Sequence, residues 1–330
     1  MSVSDKHHPG YAFLPVADKV DRRERPQASH GRYREDSFSG TLGIAWLAEQ
    51  PIHIGSGFKA LVGDKQEIVR QTVRLGDVPC IPGSTLKGVL RARYEAITYS
   101  CVVAPKLEKT KVRSSSFPGA KARILPVAIG PAPFSSGKSC MCPTCSLFGR
   151  LDLRSRLIVT DALPDSLATE RREIPAQFGP NLHHIGDFNL NPRENVLDVH
   201  HLHGRKFAVG RDNRPPPGAY SKTNAPFMQT LEVIPEGSHL RSEVRFLNLD
   251  LAELGGLCAA LGIAPRSRLK VGGGKSHGLG RLYPEEVAPT LRSPDSGVFE
   301  LSALEAAFRN DAACHVDNLD ALASLHGQRC

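Results

Sequence analysis

Ile81-Pro82-Gly83-Ser84-Thr85-Leu86-Lys87-Gly88-Val89-Leu90-Arg91 reads as the end of a strand, a glycine turn and the opening of a helix. Apolar residues continue at helical spacing through Tyr94 and Ile97, and Ser84 or Thr85 stands where an N-cap is expected. Glycine lets backbone approach a ligand closely, and the amides of a helix N-terminus favour an anion, so with Lys87 the segment suits phosphate. A second basic glycine segment lies far downstream, Gly272-Gly273-Gly274-Lys275-Ser276-His277-Gly278-Leu279-Gly280. It follows an apolar helical stretch at 251–261 and precedes Arg281-Leu282-Tyr283, the start of a closing strand. Either segment alone could be an ordinary tight turn. The pair points to a polyphosphate backbone as ligand.

Gly274-Lys275-Ser276 invites comparison with a nucleotide-binding P-loop. That motif needs a glycine at position 269, where Leu269 stands, and a strand upstream, where a helix is expected, so the P-loop is rejected. Working outward, residues 38–54 read as a strand, 58–77 as a loop and 156–162 as a second strand. Residues 227–233 and 240–247, joined at Pro235-Glu236-Gly237, read as a hairpin. Strand, helix, strand, then strand, helix, strand is the pattern of an α+β, ferredoxin-like (RRM-like) core.

The core is expected over 38–284, after a polar arm at 1–37 in which Tyr11-Ala12-Phe13-Leu14-Pro15-Val16 alone could dock. A weakly helical tail follows at 285–330. An insertion rich in Lys, Ser, Pro and Gly at 104–139 leads to a cysteine knuckle, within a segment of about 100–149. Residues 165–226 form the largest irregular stretch, carrying His183, His184, His200, His201, His203, Arg205, Lys206 and three consecutive prolines from Pro215. A segment of that length inside a compact domain is usually functional or disordered.

The chain has 42 Lys and Arg against 34 Asp and Glu, a net charge of +8, so its field attracts nucleic acid or an anionic membrane. No apolar run reaches the roughly 20 residues that span a bilayer, and the N-terminus lacks the apolar region of a signal peptide. A cytoplasmic protein without a membrane partner is expected. Three of the eight cysteines, Cys140, Cys142 and Cys145, crowd around a Cys-Pro-x-Cys turn. Where thiols are kept reduced, such clustering suits a structural Zn²⁺ better than disulfides. A closed tetrahedral site needs a fourth ligand, expected to be Cys101, with a histidine as the alternative. Cys80 and Cys258 read as small buried hydrophobes.

Three separated motifs carry a resemblance. The stretch 81–91, Cys142-Pro143-Thr144-Cys145-Ser146-Leu147-Phe148-Gly149 and Gly273-Gly274-Lys275-Ser276-His277-Gly278-Leu279-Gly280 resemble signatures of the RAMP superfamily. His53-Ile54-Gly55-Ser56-Gly57 upstream and Glu232-Val233-Ile234-Pro235-Glu236-Gly237 before the last helix fall in the matching order, over about 38–284. Within that superfamily the chain looks like the repeated backbone subunit of type III CRISPR effector complexes. The 11–16 segment and Leu202-His203-Gly204-Arg205-Lys206-Phe207 resemble the III-D-like branch more than the ordinary backbone subunits, with a derived type VII system as the alternative.

The resemblance implies an RRM-like fold that polymerises along a guide crRNA and pushes a β-hairpin thumb, here about 165–226, through the guide–target duplex. It implies that Ser84, Thr85, Lys87, Arg91, Gly273, Gly274, Lys275, Ser276 and His277 hold guide phosphates, with Arg205 and Lys206 also on RNA. Implied partners are crRNA, target RNA, further copies of the chain and a RAMP subunit capping the 5′ handle. Many relatives cut target RNA with a divalent metal at an aspartate between the first strand and the glycine turn; Asp64 holds the comparable place, and Mg²⁺ would be its cofactor. The family's proline after that aspartate is absent and its spacing to arginine is wider. Two readings stay open: a scaffold that relies on a separate nuclease, and a backbone that is itself an endoribonuclease. A stand-alone zinc-containing RNA-binding protein is the reading from outside the family.

Overall fold

In the computed structural model the described residues are 11–17, 19–24, 30–64, 66–101, 121–124, 140–150, 153–175, 186–191, 193, 196–209, 228–292 and 299–325. The chain enters through β1 (Tyr11–Leu14) and β2 (Arg23–Glu24) and then forms the long β3 (Phe38–Ala48). There follow β4 (Gly55–Val62), β5 (Glu67–Thr72), the short pair β6 (Arg74–Leu75) and β7 (Val78–Pro79), and α1 (Gly83–Ala96). Next come β8 (Lys121–Ile124), β9 (Cys140–Met141), α2 (Pro143–Phe148), β10 (Leu157–Val159) and β11 (Leu163–Pro164). The middle of the chain supplies β12 (Glu170–Pro175), β13 (Gly186–Asn191), β14 (Val196–Leu202) and β15 (Arg205–Ala208). β16 (Met228–Val233), β17 (His239–Leu249), α3 (Leu251–Ala260), β18 (Leu269–Lys270), β19 (Arg281–Arg292), α4 (Leu301–Asn310) and α5 (Val316–Leu325) complete it.

The central sheet has the order β10-β17-β3-β19-β18, with β11 also on β17, and its pairings are antiparallel. Taking β3, α1, β10, β17, α3 and β19 as the repeat gives the ferredoxin-like arrangement expected from the sequence. Strand alternation explains its two faces: Leu42, Ile44, Trp46 and Ala48 of β3 are buried, while Thr41, Gly43 and Ala45 lie on the opposite face. Leu86, Leu90 and Tyr94 of α1, at four-residue spacing, enter the same core, as do Leu254, Leu257 and Cys258 of α3. Asp250 and Glu253 form a reciprocal capping box that starts α3.

Four sequence expectations change. Residues 58–77 are no loop: β4 and β5 form an antiparallel hairpin that continues into a second sheet of order β12-β16-β5-β4. The hairpin expected between 227–233 and 240–247 does not form. Before the turn at Pro235, β16 joins β12 and, in parallel, β5, while after it β17 pairs with β3, so the two strands part into different sheets. The ladder of β3 is the stronger competitor for β17, because it places Leu240, Val244 and Phe246 in the core.

The 165–226 stretch is also far from irregular where it is described. It holds β12, a β13–β14 hairpin extended by β8, and β15, which pairs with β1 of the N-terminal arm. His183, His184 and the three prolines from Pro215 lie outside the described residues, as does most of 104–139. Finally, the segment read as a tail supplies α4 and α5, whose Leu304, Phe308, Leu319 and Leu322 are part of the main core. Glycines permit this contact: a Cβ on Gly255 would stand 2.1 Å from the Leu304 carbonyl oxygen. Among the described residues no helix is long and apolar enough to cross a membrane.

Candidate nucleic-acid interface and metal centre

The downstream glycine segment is a tight loop between β18 and β19 with one 3-10 turn at Lys275–His277. Gly272, Gly274, Gly278 and Gly280 all have φ between 68° and 84°, the left-handed region that other residues avoid. No α-helix follows the loop, as a P-loop requires, and the short β18 precedes it. The loop is held from below. Gly273 N donates to the His53 carbonyl at 2.9 Å, Gly280 N to the Pro51 carbonyl at 2.9 Å, and His277 N to the Gly274 carbonyl at 2.8 Å. Those three amides are committed to the fold, and the crest between them also presents side chains: Lys275 and Ser276 are exposed and His277 is half-buried. Desolvation lowers the pKa of both Lys275 and His277.

Two residues that the sequence did not mark as functional build this loop. The buried Lys270 ammonium donates to Gln50 Oε1 and to the carbonyl oxygens of Leu279 at 3.0 Å and Lys275 at 3.4 Å, tying both limbs together. His53 is buried beneath Gly272 and Gly273, its Nδ1 donating to the Glu232 carbonyl at 2.7 Å, and desolvation lowers its pKa. The Glu232 carboxylate accepts from the Thr72 amide at 3.0 Å, from Thr169 Oγ1 at 3.1 Å and from Arg74. Burial alone would raise its pKa; these donors outweigh that and hold it low. Lysine and histidine spacing carries no signal for such roles, which need the contacts of Lys270 with Gln50 and of His53 with Glu232, far apart in sequence.

The upstream segment is arranged differently from expectation. Pro82 occupies the N-cap of α1, and neither Ser84 nor Thr85 caps it; Ser84 is exposed and Thr85 half-buried. The Gly83 amide donates to Asp161 Oδ1 at 2.7 Å, so a carboxylate of the chain itself already sits at the helix N-terminus. A Cβ on Gly83 would lie 2.1 Å from the Val159 carbonyl oxygen, which makes this glycine a packing requirement between α1 and β10. Lys87 Nζ donates to the Leu157 carbonyl at 3.0 Å, and desolvation, then Arg91, lowers its pKa. Arg91 Nε meets Glu95 Oε1 at 2.9 Å and Arg205 meets Glu95 Oε2 at 2.7 Å, so one carboxylate joins two of the residues read as RNA ligands. Lys206 is exposed, its ammonium 3.7 Å from the centre of the Tyr11 ring. Asp64 is exposed at the β4–β5 turn, just after Gly63 with φ 74°.

The cysteines converge as a metal centre should. Cys101 Sγ lies 3.4 Å from Cys142 Sγ and 3.7 Å from Cys145 Sγ, and all three side chains are buried. Thiolates about 2.3 Å from a tetrahedral zinc would be about 3.8 Å apart, so the group could hold such an ion. Cys145 N donates to Cys142 Sγ at 3.4 Å at the start of α2, and hydrogen bonding among the three thiols lowers the Cys142 pKa while raising that of Cys101, so a first thiolate charge settles on Cys142. Cys140 lies in β9 but its side chain is outside the described residues. Among the described residues this is the one group of three or more metal-ligating side chains able to share an ion.

The model of the RAMP superfamily matches residues 48–283, well over half of the sequence. The chain belongs to the RAMP superfamily. A search of curated proteins gives no match. RAMP proteins have ferredoxin-like folds and are CRISPR-associated RNA-binding proteins, in agreement with the β3–α1–β10–β17–α3–β19 repeat and the positive net charge. The matched span contains both glycine segments and the cysteine group of this RAMP chain.

Proposed function

We propose that this RAMP protein is the repeating, crRNA-binding backbone subunit of a type III-like CRISPR ribonucleoprotein, of the III-D-like or derived type VII kind. The observation that carries the reading is the loop at 272–280, anchored by Lys270 and His53 so that Lys275, Ser276 and His277 stand outward on a fixed base. Guide binding must be independent of sequence, and such a crest can hold phosphates without reading bases. Lys87 keeps two further N–H donors beyond its bond to Leu157, and with Ser84, Thr85 and Arg91 it lines a second stretch of guide. Arg205 and Lys206, on β15, belong to the same RNA path, with Gly273 and Gly274 shaping the loop. Cys101, Cys142 and Cys145, with Cys140 as the fourth ligand, hold a structural Zn²⁺ that fixes α2 beside α1.

The partners in this reading are crRNA, target RNA, neighbouring copies, and a RAMP subunit on the 5′ handle. A second reading adds cleavage. Asp64 projects from the β4–β5 turn into solvent, where it could recruit Mg²⁺ together with oxygens of a bound RNA. The test assembles purified protein on guide RNAs of increasing length, then adds labelled complementary RNA and Mg²⁺. Sedimentation should show more copies on longer guides; a single copy at every length would contradict the backbone role. Evenly spaced products that disappear with Asp64→Ala would establish the nuclease, and intact target RNA would leave a scaffold served by a separate nuclease.

A further inference from the structure

The face of the central sheet opposite α1 and α3 carries a groove of about 430 Å³ that no motif marks. Cross-strand register defines it. Arg245 of β17 stands between Ile158 of β10 and Thr41 of β3, Thr41 faces Thr290 of β19, and Arg292 lies two residues further along β19 on the same face. Arg154 and Tyr33 close the sides.

Three of these groups, Arg154, Arg245 and Arg292, are exposed, and among the described residues none that lines the groove is acidic. Arg245 is bridged to Glu243, on the same strand just outside the groove, through Nε at 3.1 Å and one terminal nitrogen at 2.8 Å, which leaves its other terminal nitrogen for a phosphate. A fourth lining arginine, Arg156, is buried and paired with Glu253, so it belongs to the fold. Tyr33 is 58% exposed, and the Arg292 guanidinium lies 5.4 Å from the centre of its ring while donating to its hydroxyl at 3.2 Å. An aromatic face held by a cation beside further guanidinium groups is the equipment for one stacked base and its flanking phosphates. The positive character is local. Further along the same face the neighbouring groove is lined by Asp161, Glu243 and Glu286 beside Arg241, a mixture that does not favour a polyanion. The sheet positions between the arginines are small, Gly40 and Thr41, so nothing there stacks bases as the aromatics of an RRM sheet do.

We propose that this groove is a second contact site for single-stranded RNA, in which Arg154, Arg245 and Arg292 hold consecutive phosphates and Tyr33 stacks one base. The site deepens the RNA-binding reading given above and rests on it. An acidic protein segment would satisfy the arginines but leave the Tyr33 face without a role.

The test titrates the full chain with a fluorescein-labelled single-stranded RNA at several KCl concentrations. Native protein is compared with the triple variant Arg154→Ala/Arg245→Ala/Arg292→Ala, with Tyr33→Ala and with Tyr33→Phe, each checked for an unchanged melting temperature. Each phosphate contact on a single strand contributes about 0.7 to the slope of log K against log salt, so the triple variant should lose about 2 from that slope. Tyr33→Ala should weaken binding about tenfold and Tyr33→Phe should not, because the ring does the stacking. A triple variant with native affinity and slope would overturn the groove while leaving RNA binding by the chain intact. Failure of the native chain to bind RNA would overturn both. Displacement of the RNA by poly-glutamate, with Tyr33→Ala indistinguishable from native, would assign the groove to an acidic protein instead.

Discussion

Gly83 and Gly273 look alike in the sequence, but their neighbours give them different work. Gly83 lets α1 approach the Val159 carbonyl, where a methyl group would fall 2.1 Å from backbone oxygen. Gly83→Ala should therefore cost about 1–3 kcal/mol through overpacking, read as a lowered denaturation midpoint, with RNA affinity of the folded fraction unchanged. A loss of RNA affinity without a loss of stability would return Gly83 to the ligand. His53 permits a pH argument. Desolvation lowers its folded pKa below the ordinary 6.5, so between those values the unfolded chain binds more protons and stability falls as pH falls below about 6.5. Melting at pH 7.5 and 5.5 should show a smaller acid loss in His53→Gln than in the native chain. An equal loss in both would mean that other groups carry the acid sensitivity.

Among the elements, α2 and the cysteine group give the plainest test. If Cys101, Cys142 and Cys145 hold zinc, elemental analysis should find one zinc per chain, a strong chelator should remove it with a fall in melting temperature, and Cys145→Ser should be isolated metal-poor. A full zinc content in Cys145→Ser would remove that residue from the site. These elements also show what the sequence could carry. The alternation of Leu42, Ile44 and Trp46, the helical spacing of Leu86, Leu90 and Tyr94, and the clustered cysteines are local patterns, and each was legible. The separation of β16 from β17 was not, since a short apolar strand beside a turn does not say which sheet will take its edge. Nor was the docking of the helical tail, since the contact of α4 with α3 depends on Gly255 and Gly256 meeting Leu304 and Phe308 across the chain. At the site, the outward residues of 272–280 could be read in advance. The roles of Lys270, Glu232, Asp161 and Glu95 could not, because each depends on a partner far away in sequence: Gln50, Arg74, Gly83 and Arg205.

At the scale of the molecule, a ferredoxin-like sheet covered by helices on one face presents three basic features: the crest of the glycine loop, the Arg91–Glu95–Arg205 cluster beside α1, and the groove on the open face. A chain of charge +8 that distributes its cations this way is built to follow a strand rather than to enclose a small ligand. The glycine loop is central to that account, and the direct measurement is the salt dependence of guide-RNA affinity for the native chain and for Lys275→Ala. The expected result is a steep native slope that falls by about 0.7 in the variant, with weaker binding at every salt concentration and an unchanged melting temperature. An unchanged slope and affinity would contradict the assignment of this loop to the RNA backbone.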